Sequence, residues 1–330
     1  MQIGPYTLNG QVMLAPMAGV TDRPFRQLAR HFGAALATSE MTSADPTLWQ
    51  TEKSRLRRDH DGEAGPISVQ IAGYCPDMLA EAARFNVDHG AQIIDINLGC
   101  PAKKVCRVDA GSALMRDPAL VRAICEAVVA AVPVPVTLKM RTGYCPQQKN
   151  ALALALMAEA SGIQALAIHG RTRDQQYNGA AEHETVALIK SQVDIPVIAN
   201  GDLDTPQRCD QVLRATGCDA VMLGRAAQGR PWIFAEINHF LATGVQLPPP
   251  DMSALAAAFL GHLDALYAFY GEPRGVRVAR KHIGWTCRSL PRGETFWQAV
   301  RTLDDAAQQR ATVEDFFQQA CTLAPTRMAA

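Results

Sequence analysis

Eight short apolar runs separated by longer helical patterns constrain this chain more than any other feature of its sequence. They cover residues 12–15, 36–39, 67–71, 93–97, 136–139, 165–169, 197–200 and 220–223. Most are apolar without alternation, as parallel strands covered on both faces are. Eight such strands with helices between them predict an α/β fold of the (β/α)8 TIM-barrel class. The helices carry boundary signals. Pro76 precedes one over 77–89, Asp117 is an N-cap for one over 118–132, and Gly162 follows one over 150–161. Thr205-Pro206 opens another, which ends before Gly217.

The pattern changes at Leu247-Pro248-Pro249-Pro250. Beyond it, 252–270, 276–287, 296–310 and 312–323 read as amphipathic helices with no strand among them. A linker at the prolines is therefore expected to divide a catalytic barrel, residues 1–245, from a helical domain, residues 251–330. The 32 basic and 32 acidic side chains cancel, so an RNA-binding surface has to come from local clusters. None of the nine cysteines forms a Cys-x-x-Cys pair, which argues against a disulfide framework or a structural zinc and for a reducing compartment. No N-terminal leader and no apolar run near ~18 residues is visible, so a cytoplasmic monomer without membrane or metal partners is expected.

In a barrel of this class the chemistry sits at the C-terminal strand ends. Those ends read Pro16-Met17-Ala18-Gly19, Ser39-Glu40-Met41, Gln70, Asn97 with Cys100, Lys139 with Arg141, His169 with Arg171 and Arg173, Asn200-Gly201-Asp202, and Gly224-Arg225. Random polarity would not place a hydrogen-bonding or charged group at nearly every one. Gly99 and Pro101 hold Cys100 on a turn rather than in the core. Lys139 is placed to neutralise negative charge on a bound ring. Gly201 and Gly224 let backbone approach a phosphate after strands seven and eight, with Arg225 as its counter-ion. Asp95 lies in the fourth strand, where alternation is taken to point it away from Asn97's neighbours, so it receives no role.

Several blocks together resemble the tRNA-dihydrouridine synthase family. These are Ala15-Pro16-Met17-Ala18-Gly19-Val20-Thr21-Asp22, Asn97-Leu98-Gly99-Cys100-Pro101, Lys139-Met140-Arg141-Thr142-Gly143, Ile168-His169-Gly170-Arg171-Thr172, Ala199-Asn200-Gly201-Asp202 and Met222-Leu223-Gly224-Arg225-Ala226. Pro101-Ala102-Lys103-Lys104-Val105, Gln228-Gly229-Arg230-Pro231-Trp232 and Ala279-Arg280-Lys281-His282 with Trp285 are similar to its bacterial B-type branch. Cys106 departs from that branch, where a polar residue without a thiol is expected.

The resemblance implies bound FMN, NADPH as reductant and tRNA as substrate. It implies that Pro16, Met17 and Ala18 line the flavin, that Gln70 bonds its pyrimidine edge, and that Lys139 faces its N1–C2 carbonyl region. Asn200, Gly201, Asp202, Gly224 and Arg225 would hold ribityl and phosphate, with His169 touching the flavin or its phosphate. The implied reaction reduces the C5–C6 double bond of one D-loop uridine, position 17 for the B-type branch. Hydride goes to C6 and the Cys100 proton to C5.

An acid must start protonated, and an unperturbed thiol, with a pKa of about 8.5, does at neutral pH. Lys103 and Lys104 would depress that value if they faced the sulfur, so they are expected to face RNA backbone. Cys106 lacks a strand-end position and is expected to be structural. Three basic clusters are expected to track tRNA: Lys53, Arg55, Arg57 and Arg58; Lys103, Lys104 and Arg107; and Arg274, Arg277, Arg280 and Lys281. Asn97, Arg141, Arg171 and Arg173 are expected at the substrate. A dihydroorotate-type dehydrogenase of a small pyrimidine would share the flavin loops but leave the basic tail without a purpose. A non-catalytic RNA-binding protein would leave Cys100, Lys139 and His169 unexplained.

Overall fold

A computed structural model describes residues 1–106, 109–248, 250–288 and 290–323. At its centre lie eight strands: β1 (Val12–Leu14), β2 (Thr42–Ser43), β3 (Ser68–Ala72), β4 (Ile93–Leu98), β5 (Val136–Arg141), β6 (Leu166–His169), β7 (Val197–Asn200) and β8 (Ala220–Leu223). They form one sheet in the order β1-β8-β7-β6-β5-β4-β3-β2, and each pairing is parallel. Parallel bridges from Leu14 to Ala37 and from Thr38 to Ser68 join the two edges. The barrel expected from the eight runs is the observed fold.

The second strand needs a correction. The run 36–39 lies between β1 and β3, where the Leu14 N–H donates to the Leu36 carbonyl at 2.8 Å and the Ser39 N–H to the Ser68 carbonyl at 3.0 Å, but its regular ladder forms later, where Thr42 and Ser43 pair with Ile71 and Ala72. Apolarity marks where the chain enters the core, whereas the staggered register of a closed barrel decides where a ladder lies.

Alternation sorts the strand residues into two sets. Val12, Leu14, Ile94, Ile96, Leu138, Ile168, Val221 and Leu223 belong to the cluster that also buries the surrounding helices. Met13, Ile93, Ala165, Ala167, Ile198, Ala220 and Met222 fill the interior. Burial of each large aliphatic side chain in these sets contributes about 1.5–3 kcal/mol. A hairpin that the sequence did not announce, Gln2–Ile3 with Tyr6–Thr7, adds Ile3 to this interior cluster, with Leu8 beside it. It joins an interior that is apolar at that end and polar at the other.

Helices α1 (Arg23–His31), α2 (Glu52–Arg58), α3 (Pro76–Asp88), α4 (Pro118–Ala131), α5 (Ala151–Ala160), α6 (Glu184–Lys190), α7 (Pro206–Thr216) and α8 (Ile233–Thr243) intervene between the strands and follow the last. Their caps follow from sequence. Asp117 accepts from the Leu120 N–H at 3.0 Å, Thr205 from the Arg208 N–H at 3.2 Å, and Gly217 ends α7 at φ +66°.

Four helices follow: α9 (Met252–Tyr270), α10 (Glu272–Cys287), α11 (Gly293–Val300) and α12 (Ala306–Leu323). They bury their own cluster, including Leu263, Leu266, Val276, Ile283, Val313 and Phe317. The helix expected over 296–310 breaks after Val300, and Asp305 caps a new one by accepting from the Gln308 N–H at 2.7 Å. That acidic residue is a start signal which the apolar spacing across it conceals. By length and composition alone α9 is apolar enough to cross a membrane, but Leu255, Phe259, Leu263, Leu266 and Tyr267 are buried within the bundle. The helices meet the barrel at α1, where the Phe25 ring lies 5.9 Å from His262 and 5.6 Å from His282.

Candidate active site

The polar end of the barrel opens into a cavity of about 950 Å³. Pro16, Met17, Ala18, Gln70, Asn97, Cys100, Lys139, Arg141, His169, Asn200, Gly201, Asp202, Gly224 and Arg225 all line it. Most stand at or just beyond the C-terminal end of a strand, with Gln70 at the middle of β3 and Lys139 two residues before the end of β5, so the parallel sheet alone gathers side chains from residue 16 to residue 225.

The Cys100 turn is held from below. Asn97 Oδ1 accepts from the N–H groups of Gly99 at 3.3 Å and Cys100 at 3.0 Å. The Cys100 carbonyl accepts from the Ser112 N–H at 3.1 Å and from Ser112 Oγ at 2.8 Å. Cys106 Sγ lies 3.6 Å from the same carbonyl, so the second thiol packs beside the turn. Burial pushes the Cys100 thiol above its ordinary range and Cys106 adds to the rise, against the pull of Arg141 and Lys139. Cys100 is therefore a protonated thiol at neutral pH.

Lys139 is buried and donates to Asn200 Oδ1 at 3.1 Å, while Asn200 Nδ2 donates to the Met222 carbonyl at 2.7 Å. Burial lowers its ammonium to about 8, with Asp95 pulling the other way. Burial and the cations Lys139, Arg141, Arg171 and Arg225 together push His169 down to about 2, so its ring is neutral. Asp202, at φ +49°, accepts from Arg171 at 2.6 Å and from the Ala181 N–H at 2.8 Å, and Arg225 stands 3.6 Å from its other oxygen.

Two of the residues expected at the substrate, Arg171 and Arg173, lie outside the cavity lining. Arg171 is 2% exposed and donates to the carbonyls of Asn178 and Gly179 as well as to Asp202, so it pins the loop after β6. Arg173 lies over the Tyr144 ring at 5.1 Å, outside the cavity lining. Arg141 lines the cavity, yet its guanidinium also binds the carbonyls of Gly99, Thr172 and Gln176.

The basic face expected on α10 divides. Arg277 is exposed, Arg280 pairs with Asp304 and donates to the Leu303 carbonyl, and Lys281 donates to the Gly19 carbonyl at the cavity's edge. On α2, Lys53 and Arg55 are exposed while Arg57 pairs with Glu40 at 3.2 Å. The side chains of Lys103 and Lys104, and all of Arg107, fall outside the described residues.

Two residues were missed from sequence. Asp95 shares the inward face of β4 with Asn97, as residues two apart on a strand must. It accepts from Gln70 Nε2 and Thr137 Oγ1, both at 2.6 Å, so the expectation that it points away is corrected. Tyr177 is 55% exposed on the cavity lining, with the Arg225 guanidinium 5.0 Å and Arg141 5.7 Å from its ring. Its loop position carries no strand-end signal.

The residues present fit a flavin phosphate. The cavity is lined by one buried ammonium and two guanidiniums, and a Cβ at Gly201 would come within 2.7 Å of Ala181 and 3.1 Å of His169. That position, at φ +118°, admits glycine alone without strain and leaves a bare backbone on the cavity lining. Chemically, the arrangement can hold a planar anionic group and offer a proton from Cys100 beside buried cations.

Residues 13–321 match the model of a family described as dihydrouridine synthase. A tRNA-dihydrouridine synthase B of Xanthomonas campestris pv. campestris is 60% identical over 317 residues, covering 96% of each chain. One of Pseudomonas aeruginosa is 57% identical over the same share of each. Among solved structures, an old yellow enzyme homologue from Zymomonas mobilis shares the fold at TM-score 0.54 and 14% identity, over 77% of this chain and 94% of its own. Histamine dehydrogenase from Rhizobium sp. 4-9 does so at TM-score 0.59 and 12% identity, over 98% of this chain and 64% of its own.

Proposed function

The chain belongs to the dihydrouridine synthase family, and from that premise we propose that its barrel mouth reduces the C5–C6 double bond of a tRNA uridine, with FMN bound and NADPH as reductant. The target is a D-loop uridine, position 17. The flavin, when bound, supplies the hydride for C6.

This chain's own groups do the rest. Pro16, Met17 and Ala18 line the ring, and Gln70 meets its pyrimidine edge. The Lys139 ammonium balances negative charge on the reduced ring. The backbone at Gly201 and Gly224, with Arg225, takes the phosphate. Asn97 orients the uracil, and Cys100 gives its proton to C5 as charge builds there. Labour divides between the barrel, residues 1–245, and the helices, residues 251–330, which hold the tRNA through Arg277 together with Lys53 and Arg55 of α2. A folded tRNA must release its uridine from the stack to reach this depth.

The observation that carries this reading is the Cys100 thiol. It sits on the cavity wall, fixed by Asn97, and burial keeps it protonated in spite of nearby cations. The test is to map dihydrouridine in a hypomodified tRNA after incubation with purified protein and NADPH. One modified D-loop site, absent with Cys100→Ala, supports the proposal. NADPH oxidation coupled to free uracil or orotate instead of tRNA would replace it.

A further inference from the structure

We propose that Asp95 is a positioning residue, which holds the Cys100 turn through a one-way chain of hydrogen bonds. For the reaction this rests on the function proposed above, although the chain itself does not.

The chain has two fixed ends. At one, the N–H groups of Gly99 and Cys100 can only donate, and Asn97 Oδ1 accepts both. At the other, Asp95 accepts from Thr137 Oγ1 on Oδ1 and from Gln70 Nε2 on Oδ2. Between them Asn97 Nδ2 donates to Gln70 Oε1 at 2.7 Å. Each amide has one donor side and one acceptor side.

With both ends fixed, only one orientation of Gln70 and of Asn97 satisfies every bond. Turning Asn97 over sets its NH2 against the N–H of Cys100. Turning Gln70 over sets its carbonyl against Asp95. All four side chains, Asp95, Thr137, Gln70 and Asn97, are buried, so water does not replace a broken link cheaply. Burial raises the Asp95 carboxyl against the pull of its two donors and of Lys139. A protonated Asp95 that donates to Thr137 still offers Oδ2 to Gln70, so the chain keeps its direction.

The test is the rate at which iodoacetamide alkylates Cys100 in the flavin-loaded protein, read peptide by peptide. Asp95→Leu removes the accepting end. Cys100 should then react about tenfold faster, as Gln70 loses the acceptor that fixes its orientation, while half-buried Cys75 and Cys145 react as in wild type. Asp95→Asn keeps a carbonyl toward Gln70 and turns its NH2 to Thr137, so Cys100 should stay within about twofold of wild type. An Asp95→Leu protein with a wild-type Cys100 rate overturns the proposal. So does an Asp95→Asn protein that matches Asp95→Leu, because charge rather than the acceptor would then matter.

Should Asp95→Leu fail to fold, Asn97→Asp decides. It places acceptors on both sides of Gln70, and adding Asp95→Asn restores a donor. Return of the wild-type Cys100 rate in the double variant supports the chain, and no return overturns it. Dihydrouridine formation is scored separately in the wild type, so a protein that modifies no tRNA but shows this pattern rejects the function and keeps the chain.

Discussion

The Tyr270 hydroxyl donates to Asp22 Oδ2 at 2.8 Å, which ties the end of α9 to the residue that caps α1. Asp22 Oδ1 meanwhile accepts from the Phe25 N–H at 3.1 Å. Burial raises this carboxyl to about 6, against the pull of Tyr270, the Phe25 N–H and Lys281. The folded value lies above the unfolded one of about 3.9, so the stability this group lends is full below pH ~4 and lost as pH rises through 6. Asp22→Asn keeps the cap through its one oxygen and turns its NH2 to donate to the Tyr270 oxygen. It should be more stable than wild type at pH 7.5 by on the order of 1 kcal/mol, and equal to it near pH 4. Denaturation midpoints at the two pH values check this, and a constant difference would reject the burial account.

Cys100→Ala should bind flavin as wild type does and be reduced by NADPH at the same rate. Its dihydrouridine formation should fall by about 10²–10⁴-fold, the usual worth of a positioned acid. Stopped-flow reduction followed by tRNA-dependent reoxidation separates the two steps. A variant slowed equally in both would assign Cys100 to flavin binding.

Lys139 sets an alkaline limit. Burial lowers its ammonium to about 8, so the charge is lost as pH rises through that value, while the Cys100 thiol, pushed up, is still protonated. Turnover at saturating tRNA should fall above pH ~8 in wild type. Lys139→Arg, which does not titrate in this range, should carry activity to higher pH, and Lys139→Met should be slow with no such limb. Identical limbs in all three proteins would exclude Lys139.

At Gly201 a Cβ would collide with Ala181 at 2.7 Å and press on His169 at 3.1 Å, in a backbone conformation at φ +118° that disfavours other residues. Gly201→Ala should cost about 1–3 kcal/mol of stability and lower flavin occupancy. Thermal melts and the protein-bound flavin absorbance report both, and full occupancy would place the phosphate elsewhere.

Arg277 and Arg280 should part ways. Arg277 is exposed, so Arg277→Ala should weaken tRNA binding, reduce the salt slope of log Kd by about 1 and leave melting unchanged. Arg280 ties α10 to Leu303 and Asp304, so Arg280→Ala should lower the melting temperature. Binding titrations at three salt concentrations, with melting curves, distinguish them. A flat salt response in wild type would remove the tRNA surface altogether.

Residues read singly made much of the site legible. Parallel strands show their apolar character residue by residue, and in a barrel all their C-terminal ends meet at one mouth, so strand ends alone named Cys100, Lys139, His169, Asn200 and Arg225. Side-chain direction was harder. Lys281 and Arg277 look alike in sequence, yet one is spent on the Gly19 carbonyl and the other faces solvent. Asp95 was misread although Asn97, two residues on, already marked its face; what the sequence did not supply was its partners, Gln70 and Thr137, on neighbouring strands.

The sequence by itself determined the barrel, the tail helices and the residue types at the mouth, because periodicity, caps and local apolarity are short-range properties. The tertiary structure alone decided that β2 lies at Thr42–Ser43, that Ile3 and Leu8 join the barrel interior, and that Gln70 stands between Asp95 and Asn97. Those facts depend on ring closure and on contacts between residues far apart in the chain, and no local preference encodes such contacts.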